Sequence, residues 1–228
     1  MRIAVRLLWC SGLLALASPA LFANGGGAMP APAMSMPRTQ SPQEKARDAY
    51  NDGVRYLKKA DKAQDAAAHA SDTGQKDKAL KEAHEGYAAA LAKFQEAVQE
   101  DPKLAEAWNY CGYSSRKLGN YDDALAAYGK ALALKPGYPD ALEYRGEAYL
   151  GLNRIDDAKQ SYLDLYAGNR SLAGKLLAAM KGWSSAQRSG GAANASNLDE
   201  FDQWIQEREQ IARQTAALTR AGSAAAWH

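Results

Sequence analysis

A chain of 228 residues, 46% hydrophobic and 24% charged, holds enough material for one modest domain with attached tails. The formal charge of +2 gives no electrostatic ground for binding nucleic acid. Three phenylalanines and a negative mean hydropathy exclude a membrane-embedded body.

The first element is a leader. Met1 to Arg6 holds two arginines, Leu7 to Ala17 is almost unbroken apolar sequence, and Pro19 is set among small residues at Ser18, Ala20 and Ala23. A basic start, an apolar run of roughly 7–15 residues and a small-residue exit predict a secretory signal peptide over 1–23, cleaved after Ala20 or Ala23. The run is shorter than the roughly 20 residues a spanning helix needs; a retained N-terminal anchor is the alternative. Trp9 precedes Cys10, where a lipoprotein signal would place a small residue, so Cys10 goes with the leader. Removing 1–23 takes away Arg2 and Arg6 and no acid, so 28 basic residues become 26 against 26 acidic. One cysteine, Cys111, is left, and no intrachain disulfide can form. The expected destination is the periplasm or the exterior.

Residues 24–40 are rich in Gly, Pro, Ala, Met and Ser, and bury too little apolar surface to offset their ordering entropy; they read as a flexible tether. Ser41-Pro42-Gln43-Glu44 then combines an N-cap serine, a proline at the first helical position and a glutamate three residues after the cap. Two long helices follow, about Pro42 to Ala70 and Gln75 to Glu100, around the turn signal Ser71-Asp72-Thr73-Gly74. At 1.5 Å per residue the first would be on the order of 40 Å long. Ala63, Ala67, Ala70, Leu80 and Ala83 are candidates for a thin seam between their distal halves.

From Ala105 the chain repeats itself every 34 residues. Trp108 aligns with Leu142, Gly112 with Gly146, Leu118 with Leu152, Ala124 with Ala158 and Tyr128 with Tyr162. Stepping back by 34 predicts Ala90, Phe94, Ala97 and Pro102, all of which are present. A fixed period with matching residue classes signals a solenoid. Large residues such as Trp108 and Tyr128 suit the space between paired helices, and Gly112, Gly146, Ala124 and Ala158 suit close backbone approach. Leu118-Gly119-Asn120 and Gly151-Leu152-Asn153 carry turn chemistry, while Pro102 and Pro136-Gly137 end second helices. The expected repeats are 41–104, 105–138 and 139–172, within a solenoid over 41–188. In the first, Gly53 and Ala90 lie 37 residues apart where Gly112 and Ala124 lie 12, an excess of 25.

A further helix over 171–186, with Leu172, Leu176, Leu177, Met180 and Trp183 at helical spacing, reads as a cap on the end of the stack. Residues 189–197 read as a linker. The last helix, 198–220, has an apolar stripe of Leu198, Phe201, Trp204, Ile205, Ile211, Ala212 and Leu218. It is expected to pack on the solenoid, in its own groove for instance, or to dock on a partner.

The 34-residue pattern resembles the tetratricopeptide repeat (TPR) family, through Trp108-x2-Cys111-Gly112 and Ala124-x3-Tyr128 with Pro136, then Gly146-x2-Tyr149 and Ala158-x3-Tyr162. Arg170 stands where the third unit would have proline. The resemblance implies an all-α, right-handed superhelical stack of about three hairpins, the first elongated, followed by the capping helix and the final amphipathic helix. It also implies a binding surface rather than an enzyme, with the first helix of each unit lining a concave groove. Starting units at Ala46, Ala105 and Pro139 puts Tyr50, Val54, Leu57, Asn109, Tyr113, Arg116, Lys117, Glu143, Glu147 and Leu150 there. Some family members clamp a C-terminal carboxylate with Lys and Asn. Here Tyr50 and Val54 replace that pair in the first unit, and Asp140 and Tyr144 replace the basic pair of the third, so that mode is not expected.

Chemistry is sparse. His69 and His84 could face one another across the long hairpin near Asp65 and Glu82, but lack HxxxH or HxxE spacing, and no metal or cofactor is expected. Cys111 has no histidine beside it in sequence, and no GxSxG or phosphate loop is present. The expectation is a non-catalytic protein- or peptide-binding adaptor of a bacterial-type envelope. A structural, self-associating role through the long hairpin or last helix is the alternative, and a metal-binding or enzymatic role a distant second.

Overall fold

The computed structural model describes residues 40–190 and 195–225, with side chains through 218 apart from 195 and 196. The leader and all but Gln40 of the tether lie outside these residues, as do positions 191–194 of the expected linker. Among the described residues the chain forms eight helices: α1 Pro42–Ala68, α2 Thr73–Glu100, α3 Ala105–Lys117, α4 Tyr121–Leu134, α5 Pro139–Gly151, α6 Ile155–Gly168, α7 Arg170–Ser189 and α8 Ala195–Ala225. Each packs on the next, and α3 on α5 and α5 on α7 make a second set of neighbours, so consecutive hairpins stack into an all-α solenoid.

Local chemistry sets the ends. Glu44 N–H donates to Ser41 Oγ at 3.2 Å, and the Ser41 backbone N–H donates to the Glu44 carboxylate at 2.8 Å, closing a reciprocal cap on α1. That carboxyl is held below its usual range first by the Ser41 backbone hydrogen bond. Asp72 caps α2 by accepting from Gln75 N–H at 2.9 Å, so α2 starts at Thr73, earlier than the Gln75 expected. The turns after α3 and α5 place Gly119 (φ 82°) and Asn153 (φ 58°), 34 residues apart, in the left-handed region. Asn153 takes the glycine's role there. Gly151 remains inside α5, where a Cβ would run into the Tyr121 ring.

Three buried clusters form the core. The first joins α1, α2 and α3 around Phe94, Tyr87 and Leu57. The second joins α3, α4 and α5 around Tyr128 and Tyr138, and the third α5 to α8 around Leu165, Leu176, Met180 and Phe201. The repeat is visible in the packing. A Cβ on Gly53 would sit 2.7 Å from the Phe94 ring, and one on Gly112 would sit 2.5 Å from Tyr128, the equivalent pair one repeat later. The third unit departs from this rule. Gly146 meets Leu176 of α7, at 2.6 Å from such a Cβ, rather than Tyr162. The helix read as a cap is thus wedged against α5 as well as α6, and it runs to Ser189 rather than 186.

The long hairpin's seam differs from its sequence reading. Ala67 and Ala83 are buried, but Leu80 is 38% exposed and Ala70 is only partly covered. The two helix backbones come close at Ala60 and Gly86, where an added Cβ would lie 2.9 Å from Ala60 Cβ. Small residues let the two backbones close up there.

Candidate functional site

The first helices of the three hairpins, α1, α3 and α5, carry the candidate groove residues on adjoining faces. The structure links several of them into one network of tyrosines and charges. Tyr113 on α3 lies 4.9 Å edge-on from Tyr144 on α5 and 6.3 Å from Tyr87 on α2. Arg116, one turn on from Tyr113, has its guanidinium 5.2 Å from the Tyr113 ring centre and 5.5 Å from that of Tyr144, and pairs with Glu147 on α5. Burial works against the Arg116 charge, and Glu147, followed by Tyr128, more than offsets it. Lys117 lies 5.5 Å over Tyr87 and 5.6 Å over Tyr113, and burial, then Arg116, lowers its pKa.

Asp61 organises one wall of this site and escaped the sequence reading. Its Oδ1 accepts from Tyr87 Oη at 2.8 Å and from Tyr113 Oη at 2.9 Å. Burial first, and the Asp61 carboxylate with it, push both phenols well above their ordinary range. Asp61 lies one turn beyond Leu57 on the same face as Val54, in the part of α1 that an ordinary 13-residue repeat helix would lack. The elongation therefore adds the Asp61 carboxylate to the wall, where it meets Tyr87, the equivalent of Tyr121 one repeat later. The i+4 and i+7 spacing from Leu57 and Val54 was the available signal.

The other candidates divide. Tyr50 lies 5.8 Å from Phe94 and 5.9 Å from Tyr110, half-buried, with its pKa pushed up to about 12 by burial and then Tyr110. Val54 packs on the edge of the first cluster and Leu57 is inside it. Leu150 is buried in the third cluster. Asn109 and Glu143, equivalent positions on α3 and α5, are not open to solvent: they are 1% and 7% exposed. Asn109 Oδ1, Ser114 Oγ, Arg116 Nε and the Tyr128 hydroxyl are buried without a hydrogen bond of good geometry. Burial, then Glu147, raises the Glu143 carboxyl.

The C-terminal helix does not lie along α1, α3 and α5. Phe201 and Ile205 are buried among α6 and α7 residues, with Trp204 edge-on to Tyr162 at 5.3 Å. Asp202 fixes the register, accepting from Ser184 Oγ at 2.6 Å and from Arg188 at 2.7 Å. Ile211, by contrast, is 38% exposed, so the stripe serves the core only in its first part. An aromatic stripe says that a helix will be covered, and not by what.

His69 and His84 are both exposed, and His69 Nδ1 is occupied at 2.8 Å from the Asp65 carbonyl oxygen. Among the described residues no group of three or more His, Cys, Asp or Glu side chains could hold a metal. Cys111 is buried and its thiol is pushed up to about 12 by desolvation, which suits packing rather than nucleophilic attack. A cleft of about 590 Å³ beside the start of α6 is lined by Arg154, Asp156, Asp157, Lys159, Trp183 and Glu200 among others. Its Arg154 is already paired with Asp157.

Paired helices stacked one hairpin on the next define a helical-repeat protein. Residues 112–153, from within α3 to the turn after α5, match the family described as TPR repeat. No curated protein matches the chain. Among solved structures the chain is similar to the "TPR2B-domain:pHsp70-complex of yeast Sti1", at 14% identity over 72% of this chain and 98% of that one, with a TM-score of 0.37. It is also similar to a structure of MamA protein, at 22% identity over 54% and 76% of the two chains, with a TM-score of 0.33. TPR hairpins generally mediate contacts between proteins, and the central part of this chain carries their pattern.

Proposed function

We propose that this protein is an exported, non-catalytic adaptor that binds an extended or helical segment of another protein along α1, α3 and α5. The observation that carries this reading is the run of half-buried tyrosines, Tyr50, Tyr113 and Tyr144, interleaved with Arg116, Lys117 and Glu147 on adjoining helices. Amphipathic rings backed by oriented charges supply contact area at small entropic cost and discriminate among partners. Export, to the periplasm or beyond, is supported by the leader at 1–23. Affinity capture from an envelope extract, comparing the wild type with a folded Tyr113→Ala/Lys117→Ala variant, tests the reading. Loss of a discrete set of partners supports it, and equal recovery of every partner overturns it.

A structural role is the second reading. Ile211 and Leu218, 38% and 73% exposed on the later part of α8, are what favour it. Light scattering during size-exclusion chromatography, with and without residues 197–228, separates the two: a dimer lost on truncation favours assembly through α8.

A further inference from the structure

The inner face of α5 carries a carboxylate that the protein itself leaves without a partner. Glu143 is 7% exposed, and among the described residues no donor hydrogen-bonds to it and no cation pairs with it. Its electrostatic neighbours show which way it faces. They are Glu147 and Asp140 on α5, Arg116 on α3 and Lys175 on α7, so it lies where α5 looks between its two inner neighbours. Arg116 is committed to Glu147 one turn away, and Lys175 is exposed and acts on Glu143 only through space. Its oxygens are not sealed from solvent, so a group arriving from outside can reach the carboxylate that the protein leaves without a donor.

The equivalent position one repeat earlier repeats the pattern. Asn109 on α3 is 1% exposed and its Oδ1 accepts no hydrogen bond. The Asn109 oxygen is closed to solvent, so of the two positions only the Glu143 carboxylate lies open to a ligand rich in N–H groups. The adjoining pair shows the form such a ligand takes on this surface: the Arg116 guanidinium sits against Tyr113 and Tyr144 and is held by a carboxylate on α5. Planar guanidinium and ammonium groups are the cations that tyrosine faces and carboxylates accept together.

We propose that Glu143 is the subsite that receives a basic side chain, arginine or lysine, of the bound protein segment. This rests on the groove reading above and assigns the groove its charge preference. The partner segment is basic at one defined position.

The test uses the chain from residue 24 and a random dodecapeptide phage library. Peptides are kept when binding is lost on Tyr113→Ala/Lys117→Ala, then remeasured against Glu143→Gln. The expected result is one arginine or lysine position common to the selected peptides. Affinity should fall about tenfold or more with Glu143→Gln and equally when that arginine is replaced by citrulline. Glu143→Gln should also melt at the wild-type temperature or above it, because a carboxylate kept for a ligand gives nothing to the empty fold. Groove-dependent peptides without a basic position, affinities unmoved by Glu143→Gln, or a variant that melts well below the wild type would each overturn the proposal while leaving the groove intact. Failure to select any groove-dependent peptide would remove the groove reading itself.

Discussion

The close pairing of Gly112 with Tyr128 makes the sharpest stability prediction. An alanine methyl at 112 would lie 2.5 Å from Tyr128 Cε1, and the ring is fully buried, so it can yield only by displacing its neighbours. Overpacking of this kind costs about 1–3 kcal/mol, while alanine in place of glycine inside a helix returns about 1 kcal/mol. The net for Gly112→Ala is a loss of about 0–2 kcal/mol. Gly129, one helix away in α4, has nothing within 4 Å of an added Cβ, so the same substitution there should gain about 0.5–1 kcal/mol. Thermal melts of the two variants should therefore move in opposite directions, and differ by about 2–4 °C for each kcal/mol between them in a chain of this size. Adding Tyr128→Leu to Gly112→Ala should cost less than the two changes separately, by about 1 kcal/mol, since each relieves the other. Equal shifts for Gly112→Ala and Gly129→Ala, or a more stable Gly112→Ala, would refute the packing argument.

Other consequences follow from single groups. Asp61→Leu strips the acceptor from two tyrosine hydroxyls and should lower stability in urea by about 1–3 kcal/mol, without changing helix content by circular dichroism. Cys111, the one cysteine left when residues 1–23 are absent, should resist Ellman's reagent in the native state and react at once in denaturant, because its thiol is buried and pushed up to about 12. Glu143 makes a pH prediction. Its folded pKa is raised above the unfolded value of 4.5, so the native state holds the proton more tightly and stability falls as pH rises from there through the folded pKa. Glu147, Asp140, Arg116 and Lys175 face it and set how far. Glu143→Gln should thus be more favourable relative to the wild type at pH 7 than at pH 4 in urea titrations; the reverse order would show that the carboxylate is paired.

What the sequence disclosed and withheld follows from the range of each interaction. The 34-residue period singled out Gly112, Tyr128 and Phe94, but it suggested close backbone approach at the glycines, whereas Gly112 and Gly53 each receive an aromatic ring from the second helix of the same hairpin. Gly146 fits the same period yet meets Leu176 instead, because the identity of its neighbour depends on where α7 docks, which no local pattern encodes. Tyr50 and Tyr113 were candidates from their register on α1 and α3, while the packing of Tyr113 against Tyr144 on α5 came only with the structure. Asp61 was not a candidate, since its partner Tyr113 is 52 residues away and only the lengthened α1 brings them together. The stripe on α8 announced Phe201 and Ile205 as apolar, but their destination among α6 and α7 was set by Ser184 and Arg188 on the neighbouring helix. Burial of Asn109 and Glu143 was likewise invisible, because polar residues at groove positions read as solvated until the helices are placed.

The account stands on the claim that the inner face of α1, α3 and α5 is where a partner segment lies. A photo-crosslinking amino acid at Lys117, compared with the same group at Leu163, 42% exposed on α6, tests this directly in an envelope extract. The account predicts a discrete crosslinked partner from position 117 and none from 163. A partner captured at 163 and not at 117 would contradict it.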